Sequence, residues 1–147
     1  MRKLMIAGLL SCAAAAPVLA QATKPMTEAE VKAAGGLQLS GADIKQKYPG
    51  NTTYSITLKP IGGMPTGTVL AIYHRTDRAR VLKAPATTIE ANWWVDGNNY
   101  CAEQRVTNQG HQCYSIWDLR GTVYACLQPV GDCMFSSRLV PGNPENL

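Results

Sequence analysis

Side chains that could transfer protons, bind metal ions or act as nucleophiles are few in this chain of 147 residues. The two histidines, His74 and His111, lie in neither an H-E-x-x-H nor an H-x-H pattern, so neither pattern places two ligands on one metal ion. His111 precedes Cys113 by two residues and could activate a cysteine nucleophile. A disulfide is the more economical use of that cysteine if the chain is exported. We therefore predict no catalytic residues, no metal site and no cofactor.

Signatures of other enzyme classes are missing from the sequence as well. It contains no G-x-S-x-G nucleophile motif, and the glycine-rich segment 62–67 lacks the lysine and the following helix of a phosphate-binding loop. The ten acidic residues are scattered and suggest no glycosidase-like pair. We predict that the protein is not an enzyme, with a hydrolase of unrecognised type as an alternative.

A cluster of cations is the strongest local charge feature. Residues 75–83 contain four cations and a single acidic residue, Asp77. Within them, Thr76-Asp77-Arg78 fits a turn between two strands. Guanidinium groups match phosphate and carboxylate groups, so the cluster could bind a phosphate, an anionic glycan or an acidic protein. It could equally be a solvated loop that keeps one end of the sheet soluble. The cations are Arg75, Arg78, Arg80 and Lys83.

Two neighbouring tryptophans fall on opposite faces of a predicted strand. Successive side chains of a strand point to opposite faces, so Trp93 shares a face with apolar residues and Trp94 shares the other with Glu90 and Asn92. We expect Trp93 to be buried, and Trp94 to cover a seam or mark a contact site. The predicted binding residues, all on the outer surface, are Arg75, Arg78, Arg80 and Trp94.

The cysteines predict two disulfides. Four of the five lie in the last third of the chain, and their spacing lacks the close pairs of a structural zinc site. A sequential pairing needs one turn centred on Thr107 and another at Pro129-Val130, both in turn-like sequence. We prefer this pairing, although a turn through Leu119-Arg120 would also place the second and third cysteines opposite each other. The four are Cys101, Cys113, Cys126 and Cys133.

The first twenty residues have the pattern of an export signal. Arg2 and Lys3 precede a short apolar run, and Val18-Leu19-Ala20 forms a small-residue cleavage site. A rival reading is a lipoprotein box that ends at Cys12, whose cysteine would be acylated. We predict that residues 1–20 are a signal peptide and that the mature protein begins at Gln21, with a periplasmic or secreted location.

Charge and composition limit the classes of partner. Losing Arg2 and Lys3 lowers the formal net charge of +4 by two, which leaves a nearly neutral chain with 46% hydrophobic residues over its full length. This balance argues against nucleic-acid binding, and no mature stretch approaches the roughly 18 apolar residues of a transmembrane segment.

Two short helices are predicted before the strands. Two residue pairs have the spacing of capping boxes: Thr27 with Glu30, and Ser40 with Asp43. In a capping box the side chain of each residue accepts a hydrogen bond from the backbone amide of the other. Glycines at 35 and 36 end the first helix, and Pro49-Gly50 ends the second. We predict a flexible lead and a short helix over residues 21–36.

From Asn51 onward the sequence predicts a mainly β domain. Short runs rich in β-branched and aromatic residues alternate with turn residues every eight to twelve positions, and the connections are too short for parallel crossovers. We expect an antiparallel meander or a closed, lipocalin-like barrel of about eight strands over residues 37–140, and a loose tail over 141–147. The predicted strands are 52–59, 68–75, 79–83, 89–95, 100–105, 112–117, 122–128 and 134–139.

The order of several short motifs resembles a family of small exported bacterial proteins, domain of unknown function 995. The motifs are Leu39-Ser40-Gly41-Ala42-Asp43-Ile44, Gly50-Asn51-Thr52, Trp93-Trp94-Val95-Asp96-Gly97, Tyr100-Cys101, Cys113-Tyr114 and Tyr124. The resemblance implies an exported domain with Cys101 linked to Cys113, and it carries no activity. This sequence adds Cys126 and Cys133, and has Asn92 where a glycine is expected.

Together these patterns predict an exported, non-enzymatic β-domain that binds an envelope protein or an anionic ligand through its outer surface. We expect side chains to fill the barrel interior, because the mature chain has little spare length. The alternatives are a lipocalin-type carrier of a small apolar ligand and an inhibitor of an envelope enzyme.

Overall fold

The computed structural model describes residues 24–84, 87–104 and 110–147. The predicted signal peptide, the cleavage site and Cys12 lie outside the described residues. Two short helices and nine strands follow one another along the described chain: α1 (Glu28–Ala33), β1 (Leu37–Gln38), α2 (Gly41–Lys47), β2 (Asn51–Thr57), β3 (Val69–His74), β4 (Ala79–Ala84), β5 (Thr87–Asp96), β6 (Asn99–Glu103), β7 (His111–Leu119), β8 (Thr122–Leu127) and β9 (Cys133–Pro141).

Strands β2 to β9 form a closed antiparallel barrel of eight strands. Each pairs with its neighbour in sequence, and β2 also pairs with β9 over its whole length, from Asn51 opposite Pro141 to Thr57 opposite Phe135. Closure satisfies the edge groups that an open sheet would expose. The prediction of a mainly β, barrel-like fold with about eight strands is confirmed.

The short strand β1 was not predicted. Leu37 and Gln38 pair with Asp118 and Trp117 of β7, beyond the part of β7 that pairs with β6. Two residues are too few to show the alternation from which strands are predicted, so this pairing depends on the tertiary structure.

Both predicted capping boxes are present. Thr27 and Glu30 cap α1, and Ser40 and Asp43 cap α2, each pair through reciprocal hydrogen bonds. The box at α2 includes a 2.9 Å bond from the backbone nitrogen of Ser40 to the Asp43 carboxylate. Satisfying the free amide groups at a helix start in this way stabilises helices that are too short to be stable alone.

The two helices cover different parts of the barrel. Val31 of α1 is fully buried in a cluster with Trp117 and Tyr124. The backbone nitrogen of Gly41, the first residue of α2, donates a 3.0 Å hydrogen bond to the side chain of Asn98 in the β5–β6 turn. A Cβ atom at position 41 would collide with the carbonyl oxygen of Gly97, so this close approach requires glycine. Helix α2 therefore packs against one end of the barrel.

The cysteines form two disulfides between neighbouring strands. Cys101 of β6 is bonded to Cys113 of β7, and Cys126 of β8 is bonded to Cys133 of β9. This is the sequential pairing that the turn positions favoured. Each bond joins residues that are already opposite each other in the sheet.

The C-terminal tail differs from the loose segment that was predicted. Gly142 donates a hydrogen bond to the side chain of Asn51, Tyr54 donates one to Glu145, and Lys83 forms an ion pair with Glu145 at 2.9 Å. These contacts hold the tail against the outside of β2 and β4. They join residues about 60 or more positions apart, which local sequence patterns do not reveal.

Candidate functional site

Arg80 lies inside the barrel, and this placement is a correction of the prediction. Arg80 is only 6% exposed, whereas the sequence predicted that it belongs to an outer binding surface. In the register of the sheet, Arg80 lies opposite His74 and Ala91, in the same interior layer. Leu82 shares this face of β4, and Lys83 points outward to the tail. Charge suggested a surface position, but strand alternation decides the face.

The guanidinium of Arg80 has incomplete hydrogen bonding. One terminal nitrogen donates to the carbonyl oxygen of Glu103 at 2.8 Å, while the buried Nε atom has no partner. Within the described residues, no carboxylate forms an ion pair with Arg80; the four ion pairs there involve other cations. Arginine stays charged in proteins. The barrel therefore contains a positive charge that forms no ion pair with a described acidic side chain.

Next to Arg80, His74 forms the centre of a polar network. Its Nε2 lies 3.0 Å from the hydroxyl of Thr53, and its Nδ1 lies 3.2 Å from the hydroxyl of Tyr100. Burial, together with the positive charge of Arg80, lowers the pKa of His74 to about 3. The imidazole is therefore neutral at pH 7, and both of its ring nitrogens are engaged.

Three buried tyrosines contribute neutral hydroxyl groups. Burial raises the pKa of Tyr48, Tyr100 and Tyr114, so all three stay protonated at pH 7. The hydroxyl of Tyr114 donates a 2.6 Å hydrogen bond to the side chain of Gln112. None of the three supplies a negative charge to balance Arg80.

A cavity of ≈ 60 Å³ lies within the barrel and is lined by these groups. Side chains therefore do not fill the whole interior as predicted, because short residues such as Thr53, Ser55 and Ser137 stand among the larger apolar ones at the inward positions. Polar residues on the lining include Arg80 and Glu103, which are the two charged ones, together with Thr53, Ser55, His74, Tyr100, Gln104 and Ser137. Apolar groups on the lining include Ile72, Leu82, Ile89, Ile116, Val123 and Phe135. The cavity thus offers a cation together with hydrocarbon surface.

The other predicted binding residues lie outside the barrel, and only two of them share a groove. Arg78 and Trp94 line an outer groove of ≈ 350 Å³ together with Lys45 of α2. Arg75 instead pairs with Asp77 at 2.7 Å and with Glu90 at 3.2 Å. Trp94 is half-buried, and its ring lies 5.3 Å from that of His111.

The interior site was missed because its polar members look unrelated along the chain. Thr53, His74 and Tyr100 come from β2, β3 and β6, and they meet only when the barrel closes. Residues three positions apart on a strand point to opposite faces, so the spacing of Arg80 and Lys83 indicates that one of these two cations faces inward, without showing which one.

Among the described residues, no group of three or more His, Cys, Asp or Glu side chains is placed to hold a metal ion. None of the helices in the described ranges is long and apolar enough to cross a membrane.

The resemblance to the exported bacterial family stays a prediction. Comparison with known proteins found no matching family model, no matching curated protein and no matching solved structure.

Proposed function

We propose that this protein is a non-enzymatic binding protein that holds a small anion inside its barrel. The observation that carries the proposal is the buried guanidinium of Arg80, which lacks a carboxylate partner among the described residues. A buried charge without a partner costs several kcal/mol. A bound anion would supply the missing charge and accept a hydrogen bond from the free Nε.

The surrounding groups suit binding better than catalysis. A general base needs a pKa near the working pH and a free lone pair. His74 has a pKa of about 3 and contacts at both ring nitrogens. The neighbouring tyrosine hydroxyls are protonated and so carry no negative charge that would repel an anion.

An oxidising compartment is part of the same proposal. Two disulfides link neighbouring strands, and disulfides persist mainly in secreted or periplasmic proteins. The predicted signal peptide at residues 1–20 is consistent with this location. We propose that the barrel binds its ligand in the periplasm or outside the cell.

Acetate binding tests the interior site. At constant pH and ionic strength, excess acetate should raise the melting temperature of the oxidised protein, because a ligand that binds only the folded state stabilises it. Arg80→Met should abolish this shift, whereas Arg78→Met, which removes an exposed cation, should keep it. The proposal fails if acetate has no effect on the wild-type protein or the same effect on Arg80→Met.

A second candidate function is the binding of an anionic partner at the outer groove. The observation in its favour is that Arg78 and Trp94, both predicted to bind, line this groove with Lys45. Arginine and tryptophan are enriched among the residues that dominate interface energetics. Titration with a short polyglutamate peptide should show binding that Arg78→Ala weakens and Arg80→Met leaves unchanged. Equal binding by Arg78→Ala would remove this candidate.

A further inference from the structure

We infer that the ligand of the barrel interior is a short-chain aliphatic monocarboxylate of the size of propionate or butyrate. This inference rests on the proposed function and goes further, because it assigns the ligand a charge, a size and an orientation. The carboxylate would contact Arg80, and the hydrocarbon chain would lie against the apolar lining. The volume of the cavity supports the size of the ligand, the charges around the cavity support its single charge, and the apolar lining supports its hydrocarbon chain.

The volume of the cavity limits the size of the ligand. A buried water-sized group needs about 10–15 Å³ of free cavity. A cavity of ≈ 60 Å³ therefore takes about four to six non-hydrogen atoms. Acetate, propionate and butyrate fall within this range. Benzene binds in a cavity of about 150 Å³, so benzoate and long-chain fatty acids are too large.

The charges around the cavity favour a ligand with a single negative charge. Arg80 is the one cation among the described residues that line it, since His74 is neutral at pH 7. Glu103 also lines the cavity, and its carboxylate accepts a 2.9 Å hydrogen bond from Asn92. A second negative charge on the ligand would therefore have no cation to pair with. Succinate and phosphate should bind more weakly than a monocarboxylate.

The apolar lining favours a hydrocarbon chain over an inorganic anion. Ile72 and Leu82 lie directly opposite each other on β3 and β4, and Phe135 packs against the apolar cluster to which both belong. Arg80 shares the inward face of β4 with Leu82, two residues away. A carboxylate at Arg80 would therefore place its carbon chain on this apolar surface. Each methylene that becomes buried there should tighten binding about fourfold.

Calorimetric titration of the oxidised full-length protein with a series of carboxylates tests the inference. The dissociation constant should fall about fourfold per methylene from acetate to butyrate, and hexanoate and benzoate should bind more weakly than butyrate. Succinate, phosphate and chloride should bind more weakly than propionate. Loss of binding in Arg80→Met would place the carboxylate of butyrate at Arg80.

The results separate the two proposals. Binding of acetate, propionate and butyrate with equal affinity, lost in Arg80→Met, would overturn the aliphatic ligand and keep the interior anion site. Stronger binding of phosphate or succinate than of butyrate would overturn the inference that the ligand carries a single negative charge. Absence of binding by every anion would mean that only water fills the cavity, and would overturn both proposals.

Enlarging the cavity provides a test through a gain of binding. Leu82→Ala removes part of the apolar lining, so hexanoate should bind this variant more tightly than it binds the wild-type protein. A misfolded variant cannot produce such a gain. Val81→Ala is the matched control, because Val81 lies on the opposite face of the same strand. An unchanged order of chain lengths in folded Leu82→Ala would contradict the placement of the ligand chain.

Discussion

Arg80 holds a positive charge in surroundings made mainly of neutral hydroxyls, one imidazole and hydrocarbon, and Glu103 lies on the same cavity lining without forming an ion pair with it. Removing one partner of a buried ion pair is costly because it leaves a charge behind, but here no acidic partner among the described residues would be left behind. We therefore expect the free energy of unfolding of Arg80→Met to lie within about 1 kcal/mol of the wild-type value in anion-free buffer. Urea denaturation checks this value. A loss of more than about 3 kcal/mol would mean that the 2.8 Å hydrogen bond from Arg80 to the Glu103 carbonyl and the side-chain hydrogen bond between Arg80 and Tyr100 stabilise the fold by more than the unpaired charge destabilises it.

His74 should make the folded state sensitive to acid. Its pKa in the folded protein is about 3, against an ordinary value of 6.5. Between these two values the unfolded chain binds a proton and the folded chain does not, so stability is lost as the pH falls from about 6.5 toward 3. Between pH 7 and pH 4.5, His74 alone should lower the free energy of unfolding by about 2–3 kcal/mol.

Comparison of variants isolates this contribution from that of the carboxylates. His74→Gln should lose less stability than the wild-type protein over the same pH interval, because glutamine does not titrate. His111→Gln replaces the other histidine, which is exposed, and serves as the matched control for the substitution. Identical pH dependence in wild type and His74→Gln would show that the imidazole is accessible to protons in the folded state.

At the scale of the element, β5 carries two tryptophans with different roles. Trp93 is 5% exposed, donates a hydrogen bond to the carbonyl oxygen of Ala79 at 3.1 Å, and stacks on Tyr100. Trp93→Ala should therefore cost about 3–5 kcal/mol of stability. Trp94→Ala, on the half-buried outer side, should cost less than about 1 kcal/mol. Equal losses in thermal or urea denaturation would contradict the assignment of the two faces.

Strand alternation made most of the fold predictable, and its ambiguity explains what was missed. All eight barrel strands were predicted near their observed positions, because the turns between them carry glycine, proline, asparagine or aspartate. In β4, apolar residues occupy both faces, so the pattern Ala79-Arg80-Val81-Leu82-Lys83 does not reveal which face is inside. The preference of arginine for the surface then favoured the wrong choice. Because Arg80 was assigned to the outer face of β4, the interior site around it was not predicted.

At the scale of the whole molecule, the disulfides fasten two pairs of neighbouring strands. Reduction should lower the free energy of unfolding by about 2–4 kcal/mol, because each bond limits the freedom of the unfolded chain. Urea denaturation with and without a reducing agent measures this loss. A native oxidised protein in which a thiol reagent labels any of the four cysteines would contradict the two bonds.

The pairing of β2 with β9 also sets an order in time. Asn51 needs Pro141 as its partner, and Thr57 needs Phe135, so the first barrel strand cannot complete its hydrogen bonds until the last one has been synthesised. Contacts between such distant parts of a chain form slowly. A nascent chain that has released β2 but not yet β9 exposes an open sheet edge. The barrel would thus stay open until β9 has left the ribosome.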